Sequence, residues 1–453
     1  MVRPMRKGFV VLCSLIFGVG VYAAPAGTEA VLVIVGDQHS AYERTAQLVA
    51  RVDRVRTENP KLPLAVLIDG DVFEQGNVVA RRSAGAVDFA MLAALARRGP
   101  TILNLGNHEP EFYDLAETIA RVHAAGVTVV GNITNRATGK PFAPMSTTLR
   151  LGKHEAVVVG LTTDLLATFR VAVRPSLDLA NPVVWGKTFL PEVLPQSPVK
   201  IVLSHAGLAA DRELLPIVPD GTLFAGAHDH IRFVHRAGRT TYVHSGSWNE
   251  FVTLAYLRFD ERGSLWEIEQ QPIALDGPAD PELTALIREM QAKHLTAEDR
   301  AVIAHLARAF SPDEAARFAA EALCAVAKVD AAFIGHTTFG AGLPVGDVTR
   351  VAFDACVRFD GTLFVADVSG ERLRGLLAAA NESPETPFAQ RHGDFLAAVG
   401  PPEIDPRRTY RIAVTDWIAR NPEKYLGPEK IEFAEKPELH VKEIVRKALA
   451  GSR

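Results

Sequence analysis

Five apolar runs in this chain stop at side chains that bind metals or move protons. "VIVGDQH" ends in Asp37 and His39, "VLIDGD" in Asp69 and Asp71, and "LNLGNHE" in Asn107 and His108. "IVLSHAG" ends in His205 and "LFAGAHDH" in His228 and His230, and each run has a glycine close by. Oxygen and nitrogen donors without a thiolate suit Mg, Mn, Fe or Zn. A carboxylate in the middle of such a set can bridge two cations. Two cations held about 3.5–4 Å apart acidify a bridging water and clamp the oxygens of a displacement. On this reading Asn107 is a metal ligand, and His108 stands beside the metals to act on substrate. Any one of these pairs alone is ordinary turn chemistry; five strand ends carrying complementary donors in order are not.

The elements that position these groups follow from the periodicity. "AVLVIVGD", "LAVLIDGD" and "TILNLGN" read as buried strands, separated by "AYERTAQLVARVDRV" and "AVDFAMLAALARR" with apolar residues at helical spacing. "DLAETIARVHAAG" is a further helix, closed by Gly126. The alternation predicts an α/β layered domain with largely parallel early strands, in which ligands bind beyond the carboxyl ends of the strands. After "VTVVGN" the pattern becomes β-rich, which suits a second sheet packed on the first. "DGPADPEL" reads as a linker, with helices expected over "PELTALIREMQAKHL" and "EDRAVIAHLARAF". A second α/β region starts near Pro312 and runs to the end. The expected division is 1–24, 28–275, 276–311 and 312–453.

The bulk numbers are ordinary for a chain of 453 residues, and nothing in them points to nucleic-acid binding or disorder. Arg3, Arg6 and Lys7 precede the apolar "GFVVLCSLIFGVGVYA", and Val21 and Ala23 are small residues at cleavage-site spacing. Residues 1–24 therefore read as a secretory signal peptide, too short to be a convincing membrane span. That places the protein in the periplasm or outside the cell, with no stable membrane insertion after cleavage. Losing three basic residues takes the net charge from −4 to −7, so an anionic substrate has to be attracted locally. Cys324 and Cys356 remain; one disulfide is open to them, but they read as buried small hydrophobes.

"GDQH", "GD" at 70–71, "GNHE", "SHAG" and "HDH" in this order resemble the calcineurin-like metallophosphoesterases, and the continuation resembles the secreted 5′-nucleotidase family. The resemblance implies a four-layer α/β/β/α metallophosphoesterase sandwich followed by a smaller α/β C-terminal domain of the 5′-nucleotidase type. It implies two divalent metal ions (Mn, Zn, Fe or Mg). One would be held by Asp37, His39 and His230, the other by Asn107, His205 and His228, with Asp71 as the bridge. The family's catalytic dyad falls on His108, with Glu111 where the family has Asp. The activity implied is hydrolysis of phosphate esters by attack of a metal-bridged hydroxide, with a small-molecule ester, not a nucleic acid polymer, as the partner.

In the second region "VDAAFIGHTTFGAGLPVGDVT" resembles the family stretch Asn-Gly-Gly-Gly-Ile-Arg, with Pro344, Gly346 and Thr349 matching. Gly340 stands where the substrate-binding arginine is expected, and His336, Thr337 and Thr338 replace the glycines. Phe359 in "VRFDGTL" matches the aromatic that stacks on the base, and Tyr425 in "RNPEKYLG" is the nearest candidate for a second one. A standard nucleotide pocket is therefore not expected. Two other readings stay open. One keeps the metals but acts like the thiosulfohydrolase branch of the family on carrier-bound sulfur groups. The other is a metal- or ligand-binding protein without catalysis, against which His108 and Glu111 argue.

Overall fold

The computed structural model describes residues 23–451; the expected signal peptide, apart from its last two residues, and Cys13 lie outside them. Strand Ala30–Gly36 is buried along its whole length, and its alternating side chains serve two cores. Val31, Val33 and Val35 pack under helices, whereas Ala30, Leu32 and Ile34 face a second sheet. A strand covered on both faces reads as an unbroken apolar run. The first sheet runs Gly263–Pro272, Phe251–Asp260, Ala30–Gly36, Leu64–Asp69, Thr101–Asn104, Thr128–Val130, the last four parallel. The second runs Arg232–Ala237, Thr240–Ser245, Leu223–Gly226, Val199–His205, His154–Thr162, Ser146–Leu151, with its four central strands parallel.

Leu67, Ile102, Leu203, Leu223 and Trp266 fill the layer between the sheets. Tyr42–Glu58, Ala86–Arg98, Leu115–Ala124 and Pro281–His294 cover one outer face, and Pro182–Val193 and Leu208–Leu214 the other. This is the four-layer α/β/β/α sandwich. Because both sheets are parallel at their centres, their strands end on one side and bring the polar tails together there.

The later chain builds a five-stranded sheet in the order Leu396–Val399, Ala331–Gly335, Thr409–Thr415, Thr362–Ser369, Ala434–His440. Helices Pro312–Ala327 and Val441–Gly451 pack on one face and Gly370–Ala379 on the other. It docks on the sandwich through His336, whose Nε2 lies 2.8 Å from the Asp229 carbonyl, and through Arg212, which donates to the Phe388 and Arg391 carbonyls.

One element differs from expectation. Glu298–Phe310 is not a helix: Val302–Leu306 is a strand antiparallel to Gly346–Thr349. Within it Ala304 and Leu306 are buried and His305 between them is exposed, an alternation that a register shift interrupts between Val302 and Ala304. The other expected helix is present as Pro281–His294, and it packs on the first sheet's helical layer. Cys324 and Cys356 are both free, the second fully buried.

Candidate metal centre and the cavity around it

The strand ends converge. Asp37, His39 and His230 place one ligand atom each within 4.8 Å of one another, as do Asp71, His205 and His228. Asp71 Oδ2 lies 3.0 Å from His205 Nε2 and 3.9 Å from His39 Nε2, between the two groups. Asp37 Oδ1 lies 3.8 Å from both His205 Nε2 and His230 Nε2. His39 and His230 bring their Nε2 atoms to 2.8 Å, an approach that a shared cation would reward. Asn107 Oδ1 is buried without a hydrogen-bond partner, and His205 Nε2 has the Asp71 carboxylate beside it. Orphaned lone pairs beside carboxylates fit a pair of divalent cations.

The backbone is bent to make this arrangement. Asp37, His39, Asp71, His228 and His230 all have positive φ, between 48° and 79°. Each such residue costs about 1–3 kcal/mol and persists only where its surroundings over-determine it. Those surroundings are visible. The His228 N–H donates to Asp37, the His108 N–H to Asp71, and His205 Nδ1 lies 2.8 Å from the Asp69 carbonyl. The last contact fixes the His205 tautomer and leaves Nε2 as the ligand atom. Gly70, with φ +72°, lets the turn pass close to His205; a Cβ there would collide with Nδ1. Gly70→Ala is expected to cut metal affinity about 10–100-fold, the usual loss for a disturbed supporting contact, read by competition against a chelator.

Burial pushes His228 and His230 down to about 3, so both are neutral donors at ordinary pH. Burial also opposes charge on His205, but Asp71 outweighs it and holds the imidazole well above its usual range. Burial raises Asp37 well above the ordinary carboxylate range, only partly offset by His205.

His108 and Glu111 meet as expected, Nδ1 to Oε1 at 3.0 Å. Burial opposes the imidazolium, yet Asp71 and Glu111 together push His108 up to about 9. His108 also lies near enough to His39 and Asp71 to count as a ligand by distance. Sequence reasoning missed Glu74, whose Oε2 lies 3.4 Å from His39 Nδ1 and 3.3 Å from His108 Nδ1. It also missed the role of Glu109, whose carboxylate accepts from the N–H groups of Asp71, Val72 and Gly106 and ties two ligand loops together. The one available signal was its place in Gly-Asn-His-Glu.

A cavity of about 940 Å³ opens beside the cluster, lined by His39, Asp71, Asn107, His108, His228 and His230 from the sandwich. From the later chain it receives Arg358, Phe359, Asp394, Trp417 and Lys424. Phe359 is exposed into it. Tyr425 is not part of its wall: its hydroxyl donates to Asp394 and accepts from Trp417 Nε1. Trp417, exposed like Phe359, supplies the second aromatic surface instead.

Residues 30–232 match the family model described as calcineurin-like phosphoesterase, and residues 294–426 match the 5′-nucleotidase C-terminal domain. No curated protein sequence matches the chain. Among solved structures, a 5′-nucleotidase precursor from Thermus thermophilus is 19% identical, with a TM-score of 0.63, over 93% of this chain and 96% of that one. The sulfate thiohydrolase SoxB from the same organism, in complex with glycerol, is 15% identical, TM-score 0.67, over 95% of each chain. A 5′-nucleotidase from Candida albicans is 13% identical, TM-score 0.60, over 93% and 98%. At these identities the likeness is one of fold.

Proposed function

Since the chain belongs to the calcineurin-like phosphoesterases, with a C-terminal domain of the 5′-nucleotidase type behind the first, we propose that it is a dimetal hydrolase of small phosphate esters, secreted or periplasmic by virtue of its first 24 residues. The observation that carries this reading is Asp71, buried between two groups of neutral or metal-ready donors. Asp37, His39 and His230 would hold one divalent cation and Asn107, His205 and His228 the other, with Asp71 bridging. When bound, the cations supply Lewis acidity and positive charge at the reacting phosphorus. The Asp71 carboxylate would offset the repulsion between them. Glu111 orients His108 through Nδ1, which leaves Nε2 to stabilise charge on the transferring group or to give its proton to the leaving oxygen.

Phe359 and Trp417 offer stacking surfaces in the cavity, but position 340, where the resemblance implies a substrate-binding arginine, is a glycine. The values of kcat/KM for AMP, UMP and a simple aryl phosphate are therefore expected within roughly two decades of each other. Phe359→Ala should matter only where a base is bound, by about 1–3 kcal/mol. Strong preference for one nucleotide, lost in that variant, would show a base pocket built from other residues.

Metal-loaded protein assayed against 5′-nucleotides, bis(p-nitrophenyl) phosphate and a thiosulfonate tests the reading. Release of phosphate from the monoesters supports it. Hydrolysis of the sulfur substrate alone would transfer the site to sulfur chemistry, and hydrolysis of none would leave a binding protein.

A further inference from the structure

Arg358 belongs to the later chain, yet its side chain is only 2% exposed and lines the cavity beside the cluster. Its position is set by backbone pairing: the Arg358 N–H donates to the Thr338 carbonyl and the Gly340 N–H to that of Cys356. Its guanidinium carbon sits 4.0 Å over the ring of Trp248, whose indole stacks on His39 at 5.1 Å. Nη2 meets Glu74 Oε2, the same oxygen that approaches His39 and His108. Neither Nη1 nor Nη2 makes a well-directed hydrogen bond, and both are buried. Burial opposes the charge strongly. A guanidinium carries five donors in a fixed fork, and leaving them unpaired out of water is costly.

Gly340 explains how the side chain gets there. A Cβ at 340 would come within 2.6 Å of Arg358 Cδ, 2.6 Å of the Ala355 carbonyl oxygen and 2.7 Å of Trp248 Cζ2. A side chain at 340 and the observed path of Arg358 exclude each other.

We propose that Arg358 is the residue that grips the anionic oxygens of the substrate's ester group at the metal centre, its stem lodged in the space Gly340 leaves open. The inference rests on the phosphoester reading above. Glu74, paired with Nη2, and Trp248 beneath the plane hold the guanidinium in place, and Nη1 together with the Nη2 N–H that Glu74 leaves free takes the oxygens in a bidentate pair. Lysine has the charge but not the fork.

The test is calorimetric titration of inorganic phosphate into metal-loaded wild-type, Arg358→Gln and Arg358→Lys proteins, with metal content measured on the same samples. The expected result is phosphate affinity about 10–100-fold lower in Arg358→Gln, the loss of charge-assisted hydrogen bonds, at unchanged metal content. Arg358→Lys, the safer variant for folding, should also bind more weakly than wild type. Wild-type affinity in both variants, or loss of metal in step with loss of phosphate, overturns the proposal. A wild type that binds phosphate through Arg358 but hydrolyses no phosphate ester defeats the functional reading and spares this one. Hydrolysis by wild type with Arg358→Gln binding phosphate equally well does the reverse.

Discussion

Asp71→Ala is expected to reduce hydrolysis to background and to leave fewer than two metals per chain. Asp71 is 1% exposed, and its Oδ2 lies between the two groups of donors. Burial opposes its ionisation, but His205 and His108 outweigh that and hold it well below the ordinary carboxylate range, so it is charged at any working pH. Without that charge two divalent cations a few ångströms apart repel through a poorly screened interior. The variant also removes the Asp71 oxygen that accepts the His108 N–H, loosening the loop that carries Asn107. Metal analysis and phosphate-release assays on the purified variant read both effects. Two metals retained would remove Asp71 as the bridge.

His108→Ala should show the opposite division: two metals kept, turnover lost. His108 pairs with Glu111 and faces the cavity, and loss of one such acid–base group costs about 10²–10⁴ in rate. The result is informative because His108 lies within ligand distance of His39 and Asp71. Collapse of metal content would move it from the catalytic role to the coordination sphere.

The two outcomes also mark what can be read from the sequence. A parallel strand buried on both faces is an uninterrupted apolar run, so its end is conspicuous when polar donors follow; Asp37, Asp71, Asn107, His205 and His228 are all visible in that way. The layered α/β domain and its second sheet follow from the same runs and their alternation with helices, and the count of four layers from the family resemblance. Val302–Leu306 reads as helix because "AVIAHLARAF" also places apolar residues at helical spacing, and its strand partner lies forty or more residues on. Glu74 sits in a loop with no periodicity to flag it. Arg358 looks like a turn residue beside Phe359, since its path into the cavity depends on Gly340 and on Trp248, the latter more than a hundred residues away. Contacts between distant segments leave no local pattern, and Tyr425 is kept from the cavity wall by one of them, its bond to Asp394.

Stripping the protein with a chelator and following p-nitrophenyl phosphate hydrolysis as a divalent metal is returned tests the central claim most directly. The rate should rise from background and level off at two equivalents per chain. Hydrolysis that is indifferent to metal, or two equivalents bound with no phosphate ester cleaved, would contradict it.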